Sequence, residues 1–210
     1  MKQPSFDFKF LSGRQSVLKK GFTLPELLVV IAIVGILSGV LIFGYRDFND
    51  STILTNLAYD IALSVRQVQT SGSSGAKTPG NAFDRPYGIH FDSDEKENKS
   101  YLTFIDTSPF NYIYDKGKDP VQKSFSIGKG NFIKEICRVK KGEKDLCDTN
   151  SKQVDIIFVR PKLDATILFN GGSKSNYEGV KIFLESPQGR QRCLVVLNTG
   201  LISVSRDCAS

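Results

Sequence analysis

The apolar positions of this chain change their period twice. From Leu27 to Tyr45 no charged residue interrupts the run. At 1.5 Å rise per residue that stretch makes a helix of roughly 28 Å, close to the ~30 Å hydrocarbon thickness of a bilayer. From Ile53 the apolar positions thin to a stripe. Ile53/Leu54, Leu57/Ala58, Ile61/Ala62, Val65 and Val68 recur at three- and four-residue spacing, with Asp60, Arg66 and Gln67 off it. The pattern predicts one helix over 22–70, with a transmembrane part at about 27–45 and an amphipathic half laid on a globular body. If continuous from Phe22 to about Gln69 it is roughly 72 Å long. The Ser51-Thr52 pair is where it would break into two.

Residues 71–80, Ser-Gly-Ser-Ser-Gly-Ala-Lys-Thr-Pro-Gly, are dense in Gly and Pro and read as a linker that ends the helix. Beyond it the period becomes two. Nine short runs rich in Ile, Val and Phe read as strands: 87–91, 101–106, 123–127, 132–137, 154–159, 165–170, 179–185, 192–197 and 201–205. Asn198-Thr199-Gly200 suits a tight hairpin between the last two. No helical pattern intervenes, so 81–210 is expected to be an antiparallel β-sheet or small β-sandwich. With the long N-terminal α-helix, the fold class is α+β.

Charge then orients the chain. The formal net charge is +6, but five basic residues and one acidic residue precede Phe22, and the remainder balances at +2. Bulk charge therefore gives no argument for a nucleic-acid partner. Lys2, Lys9, Arg14, Lys19 and Lys20 flank the apolar run on its N-terminal side, which places that end in the cytoplasm and the body outside. The run exceeds the ~7–15 residues of a secretory h-region, and no A-x-A-like site follows it. It reads as a retained anchor in the cytoplasmic (inner) membrane. Outside, disulfides persist. Cys137, Cys147, Cys193 and Cys208 all lie in that part and allow three connectivities. The short Cys137–Cys147 separation suits a local loop, which leaves Cys193 and Cys208 to tie the C-terminal tail to a strand. Zinc is not expected, because there is no C-x-x-C and His90 is the only histidine.

The start of the apolar helix carries the most specific signal. Thr23-Leu-Pro-Glu26 has the form of a capping box, and Pro25 falls in the first helical turn, where its missing N–H is harmless. The longer string Lys20-Gly-Phe-Thr-Leu-Pro-Glu-Leu27, followed by an apolar helix, resembles the N-terminal processing motif of type IV prepilins and type II secretion pseudopilins. The resemblance implies that a prepilin peptidase cuts between Gly21 and Phe22, removing leader 1–21, and that Phe22 becomes the methylated N-terminus. It implies that Glu26 meets the N-terminal amine of a neighbouring subunit in a filament. Pro25 stands where the family more usually has an aliphatic residue. Gly35-Ile-Leu-Ser-Gly39 is a GxxxG that would let helices approach closely. Arg66, Pro86, Gly88 and Gly200 mark a second, looser resemblance to the body of minor pseudopilins and minor pilins.

No nucleophile motif, H-E-x-x-H or P-loop is present, so neither enzyme activity nor a cofactor is expected. His90 reads as structural. Asp92, Asp94, Glu95 and Glu97 lack the Gly and terminal Glu of a calcium loop and read as a solvated turn. Two basic clusters remain: Lys140, Lys141 and Lys144, and Arg190, Arg192 and Arg206. Arginines alternating on a strand point to one side and could hold phosphates. They define the alternative to a structural subunit, a DNA-binding minor pilin. The expected partners are thus the membrane, the peptidase and other pilin or pseudopilin subunits, with nucleic acid belonging to the alternative.

Overall fold

A computed structural model of the chain describes residues 21–74, 85–107, 109–140, 142, 144–147, 151–172, 177–206 and 208, the side chains of 41–48 excepted. Residues 1–20 of the expected leader 1–21, Lys141 and residues 75–80 of the expected linker 71–80 lie outside the described residues. The chain divides into two compact units, residues 1–44 and 45–210. One helix, α1 (Leu24–Ser74), is unbroken at Ser51-Thr52.

In the first unit α1 is apolar all round, and its large side chains from Leu24 to Val40 are exposed. Among the described residues, no helix is long and apolar enough to cross a membrane. The side chains of the expected 27–45 span are described only as far as Val40.

In the second unit α1 buries the stripe its period predicts: Leu54, Ala58, Ile61 and Val65 are fully buried and Val68 nearly so. The helix continues to Ser74, four residues into the segment 71–80. Tertiary packing explains the overrun. A Cβ on Gly72 would meet the Phe158 backbone, so the absent side chain lets helix and sheet approach closely. The Thr70 hydroxyl also donates to the Arg66 carbonyl and that of Ser73 to the Thr70 carbonyl.

All nine expected strands form: β1 (Tyr87–Asp92), β2 (Ser100–Ile105), β3 (Val121–Ser126), β4 (Phe132–Val139), β5 (Gln153–Phe158), β6 (Ala165–Phe169), β7 (Gly179–Glu185), β8 (Gln191–Leu197) and β9 (Ile202–Ser205). They pair antiparallel in two sheets, β3-β2-β1-β5-β6 and β4-β7-β8-β9. The fold is α+β. One core joins the helix stripe to the inward side chains of both sheets, among them Ile89, Phe91, Ile156 and Phe158 from the first and Ile133, Ile182, Leu194 and Val196 from the second. Gly200, at φ 81°, closes the β8–β9 hairpin. Gln69 pins the helix end to it, donating to the carbonyls of Leu163 at 2.9 Å and Gly200 at 3.0 Å.

Both disulfides form locally, Cys137–Cys147 and Cys193–Cys208. They flank Phe183 on the outer face of the four-stranded sheet, where Cys137, Phe183 and Cys193 make a small separate cluster with Cys208 packed against it. On the outer face of the other sheet, Tyr114 from the β2–β3 connection lies over His90 and Phe104, with ring centroids 5.2 Å from each.

Candidate functional site

The N-terminal motif forms the return arm of the capping box that its sequence suggests. Gly21, Phe22 and Thr23 precede the helix, and α1 begins at Leu24. Thr23 is the cap: its carbonyl accepts the Leu27 N–H at 3.1 Å. Its own N–H donates to Glu26 Oε2 at 3.4 Å, the return arm of the box. Pro25 falls in the first turn, where no intrahelical donor is missed. The Gly21–Phe22 bond is therefore in non-helical backbone, with Phe22 80% exposed and open space around the Gly21 Cα. A peptidase needs an accessible, non-helical peptide unit, and this one qualifies. Glu26 is exposed as well.

The arginines are placed differently from expectation. Alternation along β8 puts Arg192 on the same face as Leu194 and Val196, which is the core face against α1. Its guanidinium reaches the helix rather than solvent. Nε donates to Thr55 Oγ1 and a terminal nitrogen to Ser51 Oγ, both at 2.9 Å, and the other terminal nitrogen to the Gln191 carbonyl at 2.7 Å. Burial first, then the positive charges of Arg206 and Arg190, push its pKa below the ordinary guanidinium value. Arg190 and Arg206 are exposed, and Arg190 Nε lies 4.0 Å from Asp50 Oδ2. Asp50 also accepts from Ser186 Oγ at 2.7 Å. The alternative of a DNA-contacting trio thus loses Arg192 to helix docking. Sequence reading did not single out the helix side of this cluster. Its signal was the polar trio Asp50, Ser51 and Thr55 just where the apolar stripe begins.

His90 is held on the sheet surface by Asp155, with Nδ1 and Oδ1 2.7 Å apart. Tyr114 covers its ring. Glu135, Cys137 and Cys147 bring three potential ligand atoms within 4.8 Å of one another, the one such cluster among the described residues. Both sulfurs are bonded to each other, so neither is the thiolate a metal would require. Of the other basic cluster, Lys140 is half-buried and Lys144 exposed.

Comparison with known proteins bears on the N-terminal site alone. No curated protein and no solved structure matches the chain. One family model matches, the prokaryotic N-terminal methylation motif, over residues 18–42. That stretch contains Gly21, Phe22, the Thr23–Glu26 box and the apolar helix, and the motif is the mark of type IV pilin-like proteins, which are structural.

Proposed function

We propose that the chain is a minor pilin or pseudopilin-type structural subunit. It is made as a precursor held in the cytoplasmic membrane by the apolar part of α1, with the leader inside and the two-sheet body outside. Prepilin peptidase cleaves after Gly21 and Phe22 is N-methylated. The mature subunit then joins a type IV pilus or a type II secretion pseudopilus through α1, with Glu26 meeting the terminal ammonium of a neighbour. The observation that carries this reading is the methylation motif over residues 18–42, supported by an exposed, non-helical Gly21–Phe22 bond directly before the helix. The disulfides support an outward body, because they persist in oxidising compartments. A body of nine strands and two bridges suits a subunit present in few copies.

The test is the intact mass and N-terminal peptide of the full chain recovered from membranes of its host. A chain beginning at Phe22 and carrying one extra methyl group is expected. A chain still beginning at Met1 in cells with an active peptidase would sink the filament reading and leave α1 as a plain anchor.

A further inference from the structure

The outer face of the five-stranded sheet carries a cleft of about 260 Å³ that assembly through α1 does not involve. Its floor follows from strand alternation. Ile89 and Phe91 of β1 point into the core, so His90 and Asp92 point out of it. The register sets Leu102 and Asp155 opposite His90, and Gln153 opposite Asp92, all on that outer face. Two connections form the walls. The β1–β2 turn brings Glu97, and the β2–β3 connection folds back over the sheet to bring Tyr114 and Lys116. Both are braced by hydrogen bonds. The Asp94 carbonyl accepts the N–H groups of Glu97 and Asn98. The Asp119 carboxylate accepts from the Thr107 N–H and hydroxyl and from the Asp115 N–H.

The groups lining the cleft are held in place but not all engaged. Asp155 is buried, and its Oδ1 accepts the His90 Nδ1–H at 2.7 Å. An ionised carboxylate only accepts, so this bond fixes the ring and leaves Nε2 for another partner. Nε2 accepts when the ring is neutral and donates when it is protonated. The Tyr114 ring lies 5.2 Å from the imidazole, tilted by 47°. Asp92 is occupied, with Oδ1 accepting the Asp94 N–H and Oδ2 the Gln153 side-chain amide, both at 2.7 Å. Among the described residues, no hydrogen bond or ion pair engages His90 Nε2, the Glu97 carboxylate or the Lys116 ammonium.

This mixture disfavours a charged ligand. An anion would meet Glu97 and Asp92, and a cation would meet Lys116, at short range in a partly enclosed space. A neutral molecule whose groups both donate and accept meets no such conflict, and hydroxyls are groups of that kind. Tyr114 and Leu102 offer apolar surface for the C–H face of a ring that carries them. The volume falls just below the roughly 300–1,000 Å³ of small-molecule sites, which suits one ring rather than a chain.

We propose that this cleft binds a single neutral sugar residue, with Tyr114 against its face and His90, Glu97 and Lys116 holding its hydroxyls. The site lies wholly within the β-rich body and does not depend on how α1 is used. A body displayed outside the cell would meet the ends of surface glycans there.

His90 is the only histidine in the chain, so its imidazole gives a single set of magnetic resonance signals. The full untagged chain, in a zwitterionic detergent free of sugar, is titrated with the methyl glycosides of glucose, galactose, mannose and N-acetylglucosamine. A saturable shift of the His90 signals is expected with at least one of them. The Kd should be about 1 mM, the weak range open to a ligand of so few atoms. The Glu97→Ala/Lys116→Ala variant should weaken binding about tenfold, through the loss of hydrogen bonds to hydroxyls. Both side chains are exposed, so its melting temperature should equal the parent's. If it melts lower, Glu97→Gln alone serves for the same comparison. No shift with any of the four sugars at about fifty times that Kd overturns the proposal. A shift with inorganic phosphate or glycine but with no sugar overturns it in favour of an ion. A sugar shift of unchanged affinity in the folded variant puts the sugar outside the cleft and overturns it as well.

Discussion

Single atoms decide two positions. Gly200 has φ 81°, and a Cβ there would run into the Leu163 carbonyl and the Gln69 amide nitrogen. Gly200→Ala combines left-handed strain with loss of the Gln69 clasp. It is expected to cost about 2–4 kcal/mol, by analogy with strained backbone plus a broken buried hydrogen bond; a urea melt with m unchanged would check it. Asp106 is fully buried, and one carboxylate oxygen accepts the Tyr112 N–H at 2.8 Å. Burial raises its pKa above the ordinary aspartate value, and the charges of Asp119 and Asp115 add to the rise. The sign follows from linkage. A raised folded pKa means the folded state holds the proton more tightly than the unfolded one. The stabilisation is therefore full below the ordinary value and is lost as pH rises through the folded pKa. Asp106→Asn keeps an acceptor for Tyr112 and removes the charge. Its melting temperature should exceed that of the parent at pH 7, and the gap should close as the pH falls to the ordinary carboxylate range. A gap that stays constant with pH would show that the charge is not the cause.

At the scale of elements, α1 is held to the sheets by two different seams. Leu54 to Val68 is an apolar seam, and Asp50, Ser51 and Thr55 form a polar one with Ser186, Arg190 and Arg192. Ile61→Ala should cost about 2–5 kcal/mol, as large-to-small changes in packed cores do. Arg192→Met keeps apolar reach but loses three hydrogen bonds, so a smaller loss of about 1–2 kcal/mol is expected. Exchange measurements should find its effect confined to the helix near residues 50–55. Two changes of equal size, both spread over the whole domain, would contradict the division into seams.

The same elements show what the sequence made legible. Period-two runs such as Gly179–Glu185 and the 3.6-residue stripe gave strands and helix to within a few residues, because each buries one face. The end of α1 was not legible. Gly72 reads locally as a breaker, and its close approach to the Phe158 backbone is a tertiary contact that no local pattern shows. The alternation of Arg190 and Arg192 was legible, but not the direction they face. An arginine on a core face looks like a surface residue until its partners, the Ser51 and Thr55 hydroxyls, are brought to it from far along the chain. The helix start at Thr23 and its return bond from Glu26 were legible because those residues lie within four positions.

For the whole molecule, everything proposed for assembly converges on Glu26, which has a local role and an intermolecular one. The local role is small. Its carboxylate accepts the Thr23 N–H at 3.4 Å in an exposed position, a weak return bond. The proposed role is larger, because a charge at the apolar edge of a membrane helix needs a partner, and a neighbour's terminal ammonium would be one. The two roles separate by substitution. Glutamine also completes a capping box, so Glu26→Gln keeps the local bond and removes only the charge. Alanine removes both. Helix start, cleavage after Gly21 and body stability should be unchanged in Glu26→Gln, as read by intact mass and melting temperature. Incorporation into sheared filaments or co-purification with other pilin-like subunits should nonetheless fall at least tenfold. Alanine should behave the same in assembly. A Glu26→Gln subunit that assembles normally beside a failing Glu26→Ala would make the cap the whole function of Glu26, and the ammonium pairing would have to be abandoned.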